Sequence, residues 1–366
     1  MEPSTGVQKK KVNFYISYIK GIALVFIVLI HLIDWSGAPV PLGVFLLKEL
    51  FHVGILLFIL TSGAVILIAY KNKPIRKIFE RLIYRSAQLL LFYYAYSFIK
   101  LFIFDFSTEP FYEEFITIGT LTFQHILTFH SFSVPLTILI AYVCFLAVSP
   151  FLLLIDKKIT YSKISIAILA VLFFFINYVT NVPTINNPII NFLYTNGYAL
   201  FPIALWFVPF LIGFSFAQIG FEKQKKNIFV ISSIVLTIYI LVFSFQGKPL
   251  FPSSYQFPLD PYFIVFSIFV MSLFLYGFHY FEKKNTPWIQ KILAGIRLLG
   301  DNTLHLYIYH WMVIDFTIWI LAPYTGYIWV TMPIFFVLYL FIKKNKFSEY
   351  YVNQKDVVQD MGREIS

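Results

Sequence analysis

Apolar runs long enough to cross a bilayer recur from one end of this chain to the other, and that recurrence leaves few folds open to it. The first run, NFYISYIKGIALVFIVLIHLIDW from Asn13 to Trp35, shows the constraint most clearly. At 1.5 Å per residue a helix of this length spans roughly 30 Å of hydrocarbon. Two polar side chains interrupt it, Lys20 near its start and His31 near its end. Eleven steps of about 100° bring a helix almost back to its starting angle, so both lie on one face, about 16 Å apart along the axis. An ionisable group inside a spanning helix is costly to keep and marks a functional position by default. A hydrogen-bonded packing histidine is the alternative reading of His31.

The rest of the chain agrees with this first run. Of its 366 residues 59% are hydrophobic and only 13% charged, which fits a polytopic α-helical membrane bundle and no soluble class. The runs do not alternate in polarity, which sets aside a transmembrane barrel. About ten spans are predicted, over 14–33, 43–70, 82–104, 133–155, 163–181, 199–219, 227–246, 260–281, 301–321 and 325–342. They form one membrane domain over 14–346, between a cytoplasmic segment 1–13 and a cytoplasmic tail 347–366. The stretch 116–132 reads as an interfacial or re-entrant piece of a long outer loop. No cleavable signal peptide is expected, because the first run is too long and no small-residue cleavage site closes it.

Charge fixes the orientation. With the amino terminus in the cytoplasm, every basic residue except Lys48, Lys100 and Lys248 falls on the cytoplasmic side, while Asp105, Glu109, Glu113 and Glu114 mark an outer loop. That is the positive-inside pattern with both termini cytoplasmic. It accounts for the net charge of +10, so nucleic acid is not expected as a partner, whereas anionic lipid is. No internal repeat supports a duplicated transporter. Prolines 202, 209 and 333 fall inside predicted spans and suggest kinks.

Polar residues inside the predicted spans gather toward the outer half: His31 and Asp34, Glu49 and His52, then His310 with Asp315 beyond it. Asp34 follows His31 by one helical turn, close enough to orient or charge an imidazole, and a histidine so placed suits a general base acting on a hydroxyl. Glu49 and His52 have the same spacing but sit near the outer surface, where ordinary packing explains them better. At the cytoplasmic entrance of the third span, Arg81 and Arg85 put two guanidiniums on one helical face, with Arg76 and Lys77 a turn earlier. Such pairs suit phosphate, although positive-inside charge alone explains most of this stretch. No metal is expected: there is no HExxH, no His-x-His pair and only one cysteine, Cys144. No P-loop, dinucleotide fingerprint or nucleophile elbow is present.

The run KGIALVFIVLIH (20–31), the stretch FILTSGAVI (58–66), the arginine-bearing entrance at Arg81 and Arg85, and LLGDNTLHLYIYHWMVI (298–314) occur in an order that resembles the acyltransferase-3 family of integral membrane acyltransferases. Within that family the chain is similar to members that modify or handle exopolysaccharides, the intercellular-adhesin polysaccharide proteins among them. Lys20-Gly21 stands where the family typically has Arg-Gly, and the arginines are spaced Arg-x-x-x-Arg where many members have Arg-x-x-Arg. The resemblance implies transfer of an acyl group, acetyl above all, from cytoplasmic acyl-CoA to a hydroxyl of an extracytoplasmic or lipid-linked glycan. It implies His31 as catalytic base with Asp34 and His310 in the catalytic set, and Lys20, Arg81 and Arg85 against the donor phosphates. The implied setting is a bacterial cell membrane, with polysaccharide-synthesis proteins as partners. Two other readings remain open on the residues: a glycan exporter without acyl chemistry, and a proton-coupled transporter using His31 and His310.

Overall fold

The computed structural model describes residues 5–35, 41–102, 123–128, 134–158, 203–220, 224–256, 259–284, 286–321 and 328–343, and among these there is no strand. In chain order the helices are α1 (Thr5–Trp35), α2 (Leu42–Phe51), α3 (Val53–Tyr70), α4 (Ile75–Phe102), α5 (Phe123–Thr128), α6 (Val134–Lys158), α7 (Ile203–Ile219), α8 (Lys225–Phe245), α9 (Pro261–Lys283), α10 (Pro287–Asp301), α11 (Thr303–Leu321) and α12 (Ile328–Ile342). A 3-10 turn, Pro252–Tyr255, lies between α8 and α9. By length and composition, Phe14–Asp34, Leu42–Tyr70, Ile138–Lys158, Lys225–Phe245 and Pro261–Lys283 can each cross a membrane, and Ile203–Ile219 is a shorter apolar helix. The protein is a multi-pass membrane protein.

Most of the predicted segments fall on described helices, and several differ from expectation in shape. The span at 43–70 is two helices, α2 and α3, interrupted at His52. The third begins seven residues earlier than predicted, at Ile75, because the charged entrance is itself helical. Only Phe123–Thr128 of the 116–132 stretch is a described helix. The predicted span at 163–181, the acidic outer loop, Pro202 and the tail lie outside the described residues.

The helix α10 answers to no predicted element. Lys291 and Arg297 suit a basic cytoplasmic connection, yet Ile289, Gln290, Leu293, Ala294 and Leu298 are buried at helical spacing. Trp288, Lys291 and Ile292 face outward. Pro287 opens the helix, a position where its missing N–H costs nothing.

The chain forms two compact units: 1–61 with 220–256 and 261–366, and 62–219 with 257–260. In the first, α1 is central. It packs most extensively along α10 and also meets α2, α9, α11 and α12. Glycines permit the α1–α10 contact: a Cβ on Gly21 would overlap the Ile296 carbonyl oxygen, and one on Gly300 would overlap that of Ser17. Such backbone-to-backbone approach is how membrane helices gain packing where lipid offers no hydrophobic drive. In the second unit α4 runs along α6, and Ser86 Oγ donates to the Val143 carbonyl at 2.9 Å. Gly63 sits against the backbone of Phe210, and Ser62 Oγ lies 2.7 Å from the Tyr142 hydroxyl.

Candidate active site

The helix α1 carries its two polar residues to different surroundings. At one end His31 meets α11. Its ring stacks on that of His310, with centroids 5.5 Å apart and planes within 14°. Trp311 packs on His31 at 4.4 Å, Tyr307 meets His310 edge-on at 5.1 Å, and Phe58 stacks on Tyr307 at 5.9 Å. His310 is fully buried whereas His31 is partly open. The pair is thus a largely buried imidazole with some access, backed by a fully enclosed one.

The tautomer of His310 follows from its neighbour. Its Nδ1 lies 3.3 Å from the Leu306 carbonyl one turn earlier. A carbonyl only accepts, so Nδ1–H donates and Nε2 of a neutral ring carries the lone pair. Among the described residues nothing hydrogen-bonds that Nε2. A buried acceptor left in this state is costly unless something else meets it.

Asp34 takes a different place from the one its spacing suggests. Its carboxylate is ion-paired with Lys48 of α2, and among the described residues no hydrogen bond joins it to His31. The two side chains next to Lys48 on that turn are also engaged. Glu49 accepts from the Ser253 amide at 3.0 Å and from Ser253 Oγ at 2.7 Å, and His52 Nδ1 lies 2.6 Å from Gln256 Oε1. Asp315 is buried on α11, beyond His310.

At the other end of α1 the surroundings are polar. Lys20 is partly buried, within reach of the Asp301 charge. Asp301 itself accepts from Ser17 Oγ and lies 4.0 Å from Arg297 Nε. The Arg297 guanidinium sits 3.6 Å above the Phe14 ring. Nearby on α1, Tyr15 donates to the buried Glu282 at 2.6 Å and approaches His279 at 3.2 Å. The Tyr15–Glu282 contact escapes a reading of the sequence, since the two residues are separated by 267 positions. The signal for Arg297 and Asp301 was available in the helical spacing of buried positions along α10.

Arg81 and Arg85 lie on α4, in the second unit, and both are exposed. Of the cations near them, Arg76 pairs with Glu80 at 2.8 Å. Two permanently charged forks one helical turn apart remain open to solvent anions.

The apolar helices define a multi-pass membrane protein, and the stacked imidazoles of His31 and His310 mark its candidate active site. The chain matches the family model described as "Acyltransferase domain" over residues 13–346, and it belongs to that family, the acyltransferase-3 proteins. It is therefore a membrane acyltransferase, moving groups other than aminoacyl groups. Searches of curated proteins and of solved structures found no match. The matched range takes in Lys20, His31, Asp34, Arg81, Arg85 and His310.

Proposed function

We propose that the protein is an O-acyltransferase that moves an acyl group, acetyl in the first instance, from cytoplasmic acyl-CoA to a hydroxyl of an extracytoplasmic or lipid-linked glycan. The observation that carries this reading is the stack of His31 on His310 at the partly open end of α1. In this mechanism a ring nitrogen of His31 takes the hydroxyl proton as the oxygen attacks the thioester carbonyl. The C–O bond forms, the C–S bond breaks, and the departing thiolate takes up the proton. His310 fixes the plane of His31 by stacking, and its uncommitted Nε2 offers a second acceptor for the proton.

Lys20 is the cation assigned to the donor phosphates within the first unit. On α4, Arg81 and Arg85 present two guanidiniums suited to phosphate in their own right. The arrangement of ten spans with both termini cytoplasmic rests on the distribution of basic residues, and puts Lys20 on the donor side and His31 on the acceptor side. A bacterial cell membrane and an exopolysaccharide acceptor follow from the resemblance to proteins that handle such polymers.

The test is transfer of labelled acetyl from acetyl-CoA to purified exopolysaccharide by the full chain in proteoliposomes. The His31→Ala variant should lose transfer while folding normally. Undiminished transfer by that variant would end the assignment. Transport of unmodified glycan without ester formation would favour an exporter instead.

A further inference from the structure

The last turn of α2 and the residue that follows it bind three partners at once. Lys48 reaches back to Asp34, one turn beyond His31 on α1. Glu49, only 6% exposed, receives both the amide and the hydroxyl of Ser253. His52, at the break between α2 and α3, meets Gln256. The last two ties cross 204 residues of sequence. The turn they hold is further fastened by Tyr262, whose hydroxyl donates to the Leu250 carbonyl at 2.7 Å, and by Tyr255, which donates to the Pro249 carbonyl at 2.8 Å. Phe251 packs edge-on against Phe45 of α2 at 5.2 Å.

We propose that this junction is a clasp, in which Lys48, Glu49 and His52 hold the 252–256 turn and the end of α1 together beside His31, and so keep water from competing with the acceptor hydroxyl for the acyl group. The proposal rests on the acyl-transfer reading given above. Asp34 lies one helical turn beyond His31, and Phe51 of α2 packs on Phe26 of α1 at 5.0 Å, which places the clasp at the His31 end of the helix. A transferase with a partly open base faces a competing reaction. Water can attack the same thioester carbonyl; its oxygen bonds to carbon, the C–S bond breaks, and the free acid and the thiol leave. A site that excludes water suppresses this path. Asp34, Glu49 and His52 then act as positioning residues, which also explains why the Asp34 carboxylate goes to Lys48.

The clasp is tested on the full chain in proteoliposomes, with acetyl-CoA as the probe and no glycan added. Glu49→Gln keeps the size of the side chain but faces an amide toward one of the two Ser253 donors. Thiol release should rise about tenfold, the order expected for a weakened charge-assisted hydrogen bond. The Glu49→Gln/His31→Ala double variant should return it to background. Amide exchange at Ser253 should quicken in Glu49→Gln as its acceptor weakens. For the ion pair, Asp34→Asn should also raise thiol release, and the reversed pair Asp34→Lys/Lys48→Asp should restore the low wild-type rate. Faster exchange with unchanged thiol release would show the clasp to be merely structural and overturn the proposal, as would unchanged exchange. Failure of the reversed pair, with exchange at Ser253 as in wild type, would overturn the positioning role of Asp34. A wild-type protein that binds acetyl-CoA yet releases no thiol when glycan is supplied would strike the donor reading itself.

Discussion

Replacing Gly21 or Gly300 by alanine tests the contact on which the first unit is built. An ideal Cβ at Gly21 would overlap the Ile296 carbonyl oxygen and come within 2.9 Å of its Cγ2; at Gly300 it would overlap the Ser17 carbonyl and come within 3.0 Å of that residue's Cα. In both cases the obstacle is backbone, which cannot rotate aside, so the two helices must separate. Overpacking of this kind costs about 1–3 kcal/mol. Alanine returns part of it, since it is the better helix former by about 1 kcal/mol. With backbone on both sides the packing cost lies at its upper end, and each single variant should lose about 2 kcal/mol. The two sites share one interface: Gly300 meets Ser17 and Gly21 meets Ile296, as antiparallel neighbours do. Once one substitution has parted the helices the second meets less resistance, so the double variant should lose about 3 kcal/mol instead of about 4. Reversible SDS unfolding in mixed micelles, followed by far-UV circular dichroism, reads all three. Single variants as stable as wild type, or more so, would refute a backbone contact between α1 and α10. Full additivity would refute a shared one.

The remaining predictions concern the site. Replacing His310 by phenylalanine keeps a ring for His31 to stack on but removes Nε2, and should lower acetyl transfer at least about 100-fold; retained transfer would leave Nε2 without a part in the reaction. The Arg81→Gln/Arg85→Gln variant should raise the KM for acetyl-CoA about tenfold or more. Both side chains are exposed, so thermal stability should not change; an unaltered KM would remove them from donor binding.

The first helix was readable in advance because its signals are local. A polar residue in an apolar run stands out, and a separation of eleven residues puts Lys20 and His31 on one face whatever surrounds the helix. The predicted segments at 133–155, 199–219, 227–246 and 260–281 coincide with α6, α7, α8 and α9 within a few residues, because apolar length alone commits a segment to a helix in hydrocarbon. The helix α10 is hidden for the converse reason. Its basic residues fit the charge pattern that fixes orientation, so the apolar stripe between them does not stand out as a helix of its own.

Membership in the family was legible in the sequence as well, since short stretches in a fixed order carry it. Tertiary structure alone decided which groups meet. Asp34 is one turn from His31, but a turn permits a contact without requiring it, and Lys48 from the next helix is the partner it has. Nothing in spacing joins His31 to His310, Glu49 to Ser253 or Tyr15 to Glu282, because each pair closes only when helices hundreds of residues apart in sequence pack together. The glycines belong to both accounts: the sequence shows where a side chain is missing, and only the packed helices show the carbonyl that fills its place.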